Sequence, residues 1–90
     1  MDKPETPEEP HIALKRVYSQ FYGLGGQKQA AKAVGIGAPY FGDLLKGNRA
    51  ISPQVALKLE KAGWGAAEDW LWTQMRYDLW KLRQEGETAE

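Results

Sequence analysis

The chain has 90 residues, no cysteine and a formal net charge of zero. This length suits one small domain, and the lack of cysteine excludes a disulfide framework or a thiolate metal site. No apolar stretch approaches the ~18 residues that span a bilayer, and the acidic N-terminus does not resemble a signal peptide. We therefore expect a cytoplasmic protein.

The charges are unevenly distributed along the chain. Residues 11–62 contain eight basic and two acidic side chains, a net charge of +6, whereas residues 1–10 and 63–90 each carry −3. A local excess of positive charge attracts polyanions whatever the net charge of the whole molecule. The middle of the chain is therefore the part expected to meet a nucleic acid.

The N-terminal part of the chain divides into a tail and a helix. Residues 1–10 hold three prolines and four acidic residues, which predicts a disordered tail. The first helix is predicted from His11 to Tyr22, because apolar residues recur there at helical spacing. These residues are Leu14, Val17, Tyr18 and Phe21.

Two short helices joined by a turn are predicted in the middle of the chain. The apolar period indicates helices from Gln27 to Val34 and from Ala38 to Leu45, interrupted by a turn. Gly35 is able to take a left-handed conformation, Ile36 is expected to fill the space between the helices, and Pro39 is tolerated in a first helical turn. The pattern predicts a helix-turn-helix, and an ordinary corner in a helical bundle is the alternative.

Two further helices are predicted in the C-terminal half. Ser52 and Pro53 form a strong helix start, and that helix is expected to end before Gly63. The last helix is predicted from Ala66 to Gln84, followed by a disordered tail over residues 85–90. Its apolar residues go most of the way round, which implies either a partner surface or a roof of aromatic rings over a small core. The predicted homodimer interface is Trp72, Met75, Tyr77, Leu79 and Trp80, with Trp70 expected to flank it.

The middle segment resembles the DNA-binding unit of the Xre/Cro/phage-repressor family. The resemblance rests on Gln27, Ala31, Gly35, Ile36, Phe41 and Leu44. It implies an all-α, five-helix, lambda-repressor-like helix-turn-helix domain over residues 11–84 that binds a double-stranded DNA operator. The candidate base-reading residues are Ala38, Pro39, Tyr40 and Asp43. Those expected to contact phosphates are Gln27, Lys28, Lys46, Asn48 and Arg49.

The C-terminal half resembles the end of HigA-type antitoxins. The matching positions are Ile51, Ser52, Pro53, Ala56, Leu57, Leu59, Trp70, Leu71, Gln74, Tyr77, Asp78, Leu79 and Trp80. The resemblance implies a bacterial or phage-encoded repressor that autoregulates its operon and neutralises a small ribonuclease toxin. Surfaces offered to such a basic toxin are the acidic residues Glu5, Glu8, Glu9, Glu68, Asp69 and Asp78.

Other functions remain open at the sequence level. One alternative is a phage-type regulator without a toxin partner, and another is a helical protein-interaction module that has lost DNA binding. With a single histidine and no pattern of paired carboxylates, the chain offers no catalytic constellation. We therefore predict neither an enzyme nor a bound cofactor or metal.

Overall fold

A computed structural model describes residues 7–23 and 25–89, with side chains described up to Gly86. Within these residues the chain is all-α, with five helices and no strand, which confirms the predicted class. The helices are α1 (Pro10–Tyr22), α2 (Gln27–Val34), α3 (Ala38–Lys46), α4 (Pro53–Lys61) and α5 (Ala67–Ala89). The tail predicted over residues 1–10 lies largely outside the described residues. No described helix has the length and apolar content needed to cross a membrane.

Helices α2, α3 and α4 are each followed by a glycine with a left-handed backbone. The φ angles are +83° at Gly35, +82° at Gly47 and +86° at Gly63. In each case the amide after the glycine donates to a carbonyl five residues earlier, the pattern that closes a helix and reverses the chain. The pairs are Ile36 to Ala31 (3.0 Å), Asn48 to Asp43 (2.9 Å) and Trp64 to Leu59 (3.0 Å). Local bonds therefore set the corners after these three helices.

The start of α4 follows its sequence signal. The amide of Val55 donates to Ser52 Oγ over 3.2 Å, and Pro53 occupies the first helical position. A hydroxyl N-cap satisfies an amide that the first turn leaves unpaired, and proline has no amide to satisfy there. The predicted helix start is confirmed.

All five helices contribute to one hydrophobic core with an aromatic centre. The ring of Phe41 makes edge contacts with Tyr18 (centroids 5.9 Å apart) and Trp64 (6.2 Å). Trp70 is also buried, and its indole N–H donates to the carbonyl of Trp64 over 3.1 Å. The placement of Trp70 beside a partner surface was wrong, because a buried indole needs an acceptor and finds one inside the chain.

Phe21 differs from its prediction as part of the buried stripe of α1. It is 57% exposed and stacks its ring on Trp64, with the centroids 6.0 Å apart and the rings nearly parallel. The last turn of α1 lies at the edge of the core, so Phe21 covers Trp64 from outside instead of inserting.

The longest helix, α5, packs against α4 and α1 and runs further than predicted. Its predicted end was Gln84, but the helix continues to Ala89, so the tail predicted over residues 85–90 is helical through residue 89. Gly86 does not stop it, since one glycine in an exposed helix costs only about 1 kcal/mol. With 23 residues, α5 is about 34 Å long.

Candidate nucleic-acid interface

The corner between α2 and α3 presents the first turn of α3 to solvent. The turn consists of Gly35, Ile36 and Gly37, and Ile36 packs half-buried against the core as expected. Ala38 and Pro39 follow and are exposed. Pro39 adopts the predicted place in the first turn of α3. The inner faces of both helices are buried in the core, which holds the corner in place. The outer face of the corner is exposed to solvent.

Three of the predicted DNA-binding residues meet on the exposed side of α3. The guanidinium carbon of Arg49 lies 4.6 Å from the centroid of the Tyr40 ring, and Arg49 Nε lies 3.6 Å from Asp43 Oδ2. The arginine thus holds a cation–π contact and an ion pair together. One consequence is that the carboxylate of Asp43 faces a positive charge, which limits its repulsion of a phosphate backbone.

Gln27 and Lys28 lie at the start of α2, and both are exposed. No side chain caps this helix, so amides of its first turn point outward without an intrahelical partner. The side chain of Gln27 reaches across to α3, where its Nε2 lies 3.2 Å from the position that a Cβ on Gly42 would occupy. The buried glycine at position 42 therefore leaves room for Gln27 between the two helices.

Lys46 and Asn48 lie at the other end of α3 and are exposed on either side of Gly47. Together with Arg49 they line a polar cleft of about 500 Å³ between the end of α3, the start of α1 and the middle of α5. The predicted phosphate-contacting residues therefore form two groups, one at the start of α2 and one at the end of α3.

One basic residue of this region was missed by the sequence analysis. Lys58 of α4 donates from Nζ to the carbonyl of Gly35 over 3.2 Å, so its charge lies at the turn of the corner. The two residues are 23 positions apart, and no local pattern could have joined them. The hydrogen bond holds the ammonium group of Lys58 on the same side of the molecule as the turn.

Glu8 and Glu9, which lie just before α1, have partners within the chain. Glu8 makes a two-pronged contact with Arg16, and the hydrogen bond from this arginine lowers the pKa of Glu8, while burial opposes the shift. The same hydrogen bond raises the pKa of Arg16. Glu9 lies 3.4 Å from His11 Nε2. Glu5 lies outside the described residues.

The residues predicted for the dimer interface separate into two groups on α5. Trp72, Met75 and Leu79 are exposed. Tyr77 and Trp80 are half-buried and stack on each other, with centroids 6.1 Å apart. The structure thus brings three of the five onto one open face and places the other two in contact with each other.

Gln74, one of the positions that resemble HigA-type antitoxins, has a role that the sequence analysis did not assign. Its Oε1 accepts the amide of Ile51 over 2.9 Å, and its Nε2 donates to Asp78 Oδ1 over 2.9 Å. The loop that carries Asn48 and Arg49 is therefore tied to α5. No group of three metal-ligating side chains occurs in the described part of the chain.

The chain is similar to a bacterial protein of about the same length. Virulence-associated protein A of Dichelobacter nodosus is 36% identical over 80 residues, which is 88% of this chain and 78% of the relative. No family model matches the chain. No solved structure matches it either.

Proposed function

This chain belongs to the family of the Dichelobacter nodosus virulence-associated protein A, and we propose that it is a dimeric, helix-turn-helix transcriptional repressor with a lambda-repressor-like fold. The observation that carries the proposal is the α2–α3 corner. It exposes the first turn of α3 between two groups of basic and polar side chains. Such an arrangement suits a helix that enters the major groove while its neighbours contact phosphates on both sides.

Base reading in this proposal depends on few side chains. Ala38 and Pro39 have no side-chain donors, so they supply apolar contacts of the kind made with thymine methyl groups. The hydroxyl of Tyr40 is the donor nearest to them on α3. Asp43 is engaged by Arg49 at 3.6 Å, which leaves the remaining guanidinium N–H groups of Arg49 for an acceptor on a base or a phosphate. Sequence-dependent DNA shape then contributes the rest of the specificity.

Affinity in this proposal comes mainly from phosphate contacts. Lys28 and the outward amides at the start of α2 serve one strand, and Lys46, Asn48 and Arg49 serve the other. Two-fold pairing of the protein doubles these contacts and matches two half-sites about one helical turn, or roughly 34 Å, apart. The exposed face of α5 is the surface available for that pairing.

Antitoxin duty is a second element of the proposal. It rests on the resemblance to HigA-type antitoxins and on Glu68 and Asp69, which are exposed in the first turn of α5, on a different helix from the basic corner. One dimer would then offer a basic surface to DNA and an acidic surface to a small ribonuclease toxin. If the neighbouring gene encodes such a toxin, cells that express it alone should stop growing. Co-expression of this chain should restore their growth and yield a stable complex of the two proteins. If no complex forms, a regulator without a toxin partner is the better description.

The DNA-binding proposal is tested by the salt dependence of binding. The probe is a labelled duplex from upstream of the protein's own gene, titrated at several salt concentrations by fluorescence anisotropy. Lys46→Ala removes one phosphate contact from each subunit, so the slope of log K against log salt should flatten by about two. Lys28→Ala should act in the same way.

Lys61→Ala is the matched control. The first turn of α4 lines a cleft together with the α2–α3 turn, and Lys61 lies outside this cleft at the other end of the helix, about 12 Å from Pro53 along the axis. Its replacement should leave the slope unchanged. If wild-type protein shows no binding above that of an unrelated duplex, or if Lys46→Ala and Lys61→Ala give the same slope, the proposed DNA face is refuted.

A further inference from the structure

An apolar stripe runs along the outer face of α5. Its members are exposed, at 57%, 42%, 38% and 61% of their surfaces, and they recur at alternating intervals of three and four residues. They are Trp72, Met75, Leu79 and Leu82. This is the spacing of the a and d positions of a two-stranded coiled coil. We call these four residues the α5 seam.

The charges beside the seam differ between its two edges. In heptad terms, Arg76 and Arg83 take the e positions along one edge, and Asp78 and Glu85 take the g positions along the other. All four side chains are exposed. The face is therefore apolar in the middle, positive on one side and negative on the other.

Helix direction decides which edges meet when two such faces pack together. In a parallel pair, a g residue of one helix faces the e residue five positions further along the other, so Asp78 faces Arg83 in both directions. In an antiparallel pair, like edges meet, so the arginine edge of one helix lies along the arginine edge of the other and the acidic edge lies along the acidic edge. The first arrangement gives two attractive pairs and the second gives repulsion along both edges.

We propose that two copies of this chain associate through a parallel pairing of their α5 helices, with Asp78 of each copy against Arg83 of the other. This rests on the dimer in the proposed function and specifies its geometry. Gln74 Nε2 holds Asp78 Oδ1 at 2.9 Å, which fixes the carboxylate and leaves Oδ2 available for the arginine. Tyr77 and Trp80 lie outside the α5 seam, half-buried and stacked on each other.

A charge exchange tests the edge pairing by sedimentation equilibrium in the absence of DNA. Asp78→Arg and Arg83→Asp should each raise the dimer dissociation constant about tenfold, because each replaces two attractive pairs by two repulsive ones. The double variant restores both pairs and should return to within about threefold of wild type.

Arg76→Glu is the control that separates the two directions. In the parallel pair Arg76 faces Leu71 and has no charged partner, so the dissociation constant should change by less than about threefold. In the antiparallel pair the same substitution relieves the repulsion along the arginine edge and tightens the dimer. Tightening by Arg76→Glu or by Asp78→Arg overturns the proposal.

Cysteine cross-linking gives an independent test, because the chain has no cysteine of its own. In a parallel pair each d residue lies beside its own copy, at a separation that a disulfide can bridge. Met75→Cys and Leu82→Cys should therefore each form a disulfide-linked dimer on mild oxidation. In an antiparallel pair an a residue packs against a d residue, so Met75 would face Leu79 of the other copy. Cross-linking of a mixture of Met75→Cys and Leu79→Cys, with none in either Met75→Cys or Leu82→Cys alone, indicates an antiparallel pair and overturns the proposal, as does a monomer at tens of micromolar.

These measurements need no DNA, so they separate the two proposals. Cross-links at both positions without operator binding would support the parallel pairing and refute the repressor. Operator binding by a protein that fails to cross-link at either position would overturn the parallel pairing alone.

Discussion

Replacing Gln74 with alanine is expected to destabilise the fold through a loop on another part of the chain. The substitution removes the acceptor of the Ile51 amide, a part-buried bond of 2.9 Å, together with an exposed bond to Asp78. Leaving a buried amide unpaired costs about 1–3 kcal/mol, and partial exposure places this amide in the lower half of that range. Alanine recovers a few tenths of a kcal/mol through its higher helix propensity.

The expected loss in the free energy of unfolding is therefore about 1 kcal/mol. For a domain of this size that corresponds to a fall in Tm of roughly 4–8 °C. Urea unfolding followed by fluorescence of the four tryptophans is a suitable assay. Gln74→Met should lose a similar amount, because it keeps the length of the side chain and removes both the acceptor of the Ile51 amide and the exposed donor to Asp78.

Gln20→Ala is the matched control for this prediction. Gln20 is an exposed glutamine in the last turn of α1, so its replacement should change stability by less than about 0.5 kcal/mol. If Gln74→Ala and Gln74→Met both stay within that margin, the bond to Ile51 does not hold the loop, and the reasoning is refuted.

Two further predictions concern the N-terminal end of the core. Gly47→Ala should lower the free energy of unfolding by about 1–3 kcal/mol, because φ is +82° and the new Cβ would lie 3.0 Å from His11 Nδ1. Gly63 has a similar φ and open space around it, so Gly63→Ala should lower the free energy of unfolding by less. Equal losses for the two variants in thermal unfolding would contradict the steric role of His11. Glu8→Gln should reduce stability at neutral pH and match wild type in strong acid, because Arg16 lowers the pKa of Glu8 and its contribution is lost as pH falls through that lowered value. A difference that is constant between pH 7 and pH 2 would show that this ion pair is not its cause.

Local signals made the corners of the fold predictable from the sequence. Gly35 ends α2 in the left-handed region, and Ser52 with Pro53 starts α4, because these features depend only on residues within one helical turn. The end of α5 was misplaced because no such local signal marks it. No strong stop signal follows Gln84, so the sequence does not define the residue at which the helix ends.

Side-chain neighbours across the fold were less predictable. The ring of Tyr40 and the carboxylate of Asp43 are near each other on α3, but the sequence does not show that Arg49 returns over both of them. The apolar residues of α5 surround so much of the helix that periodicity could not assign one face to the core. Trp70 was therefore misplaced, and only the packing of α4 and α1 against α5 separates the buried side from the α5 seam.

The glycine-closed ends of α2, α3 and α4 have a consequence for how this chain reaches its native state. Each reversal is closed by bonds between residues at most five positions apart, so it can form before distant parts of the chain meet. Helical domains built from such short-range contacts fold in microseconds to milliseconds. A newly made copy would thus become compact soon after the chain through the first turns of α5, which supply Trp70 to the core, is available. In the proposed dimer, association through α5 would then set the pace of assembly.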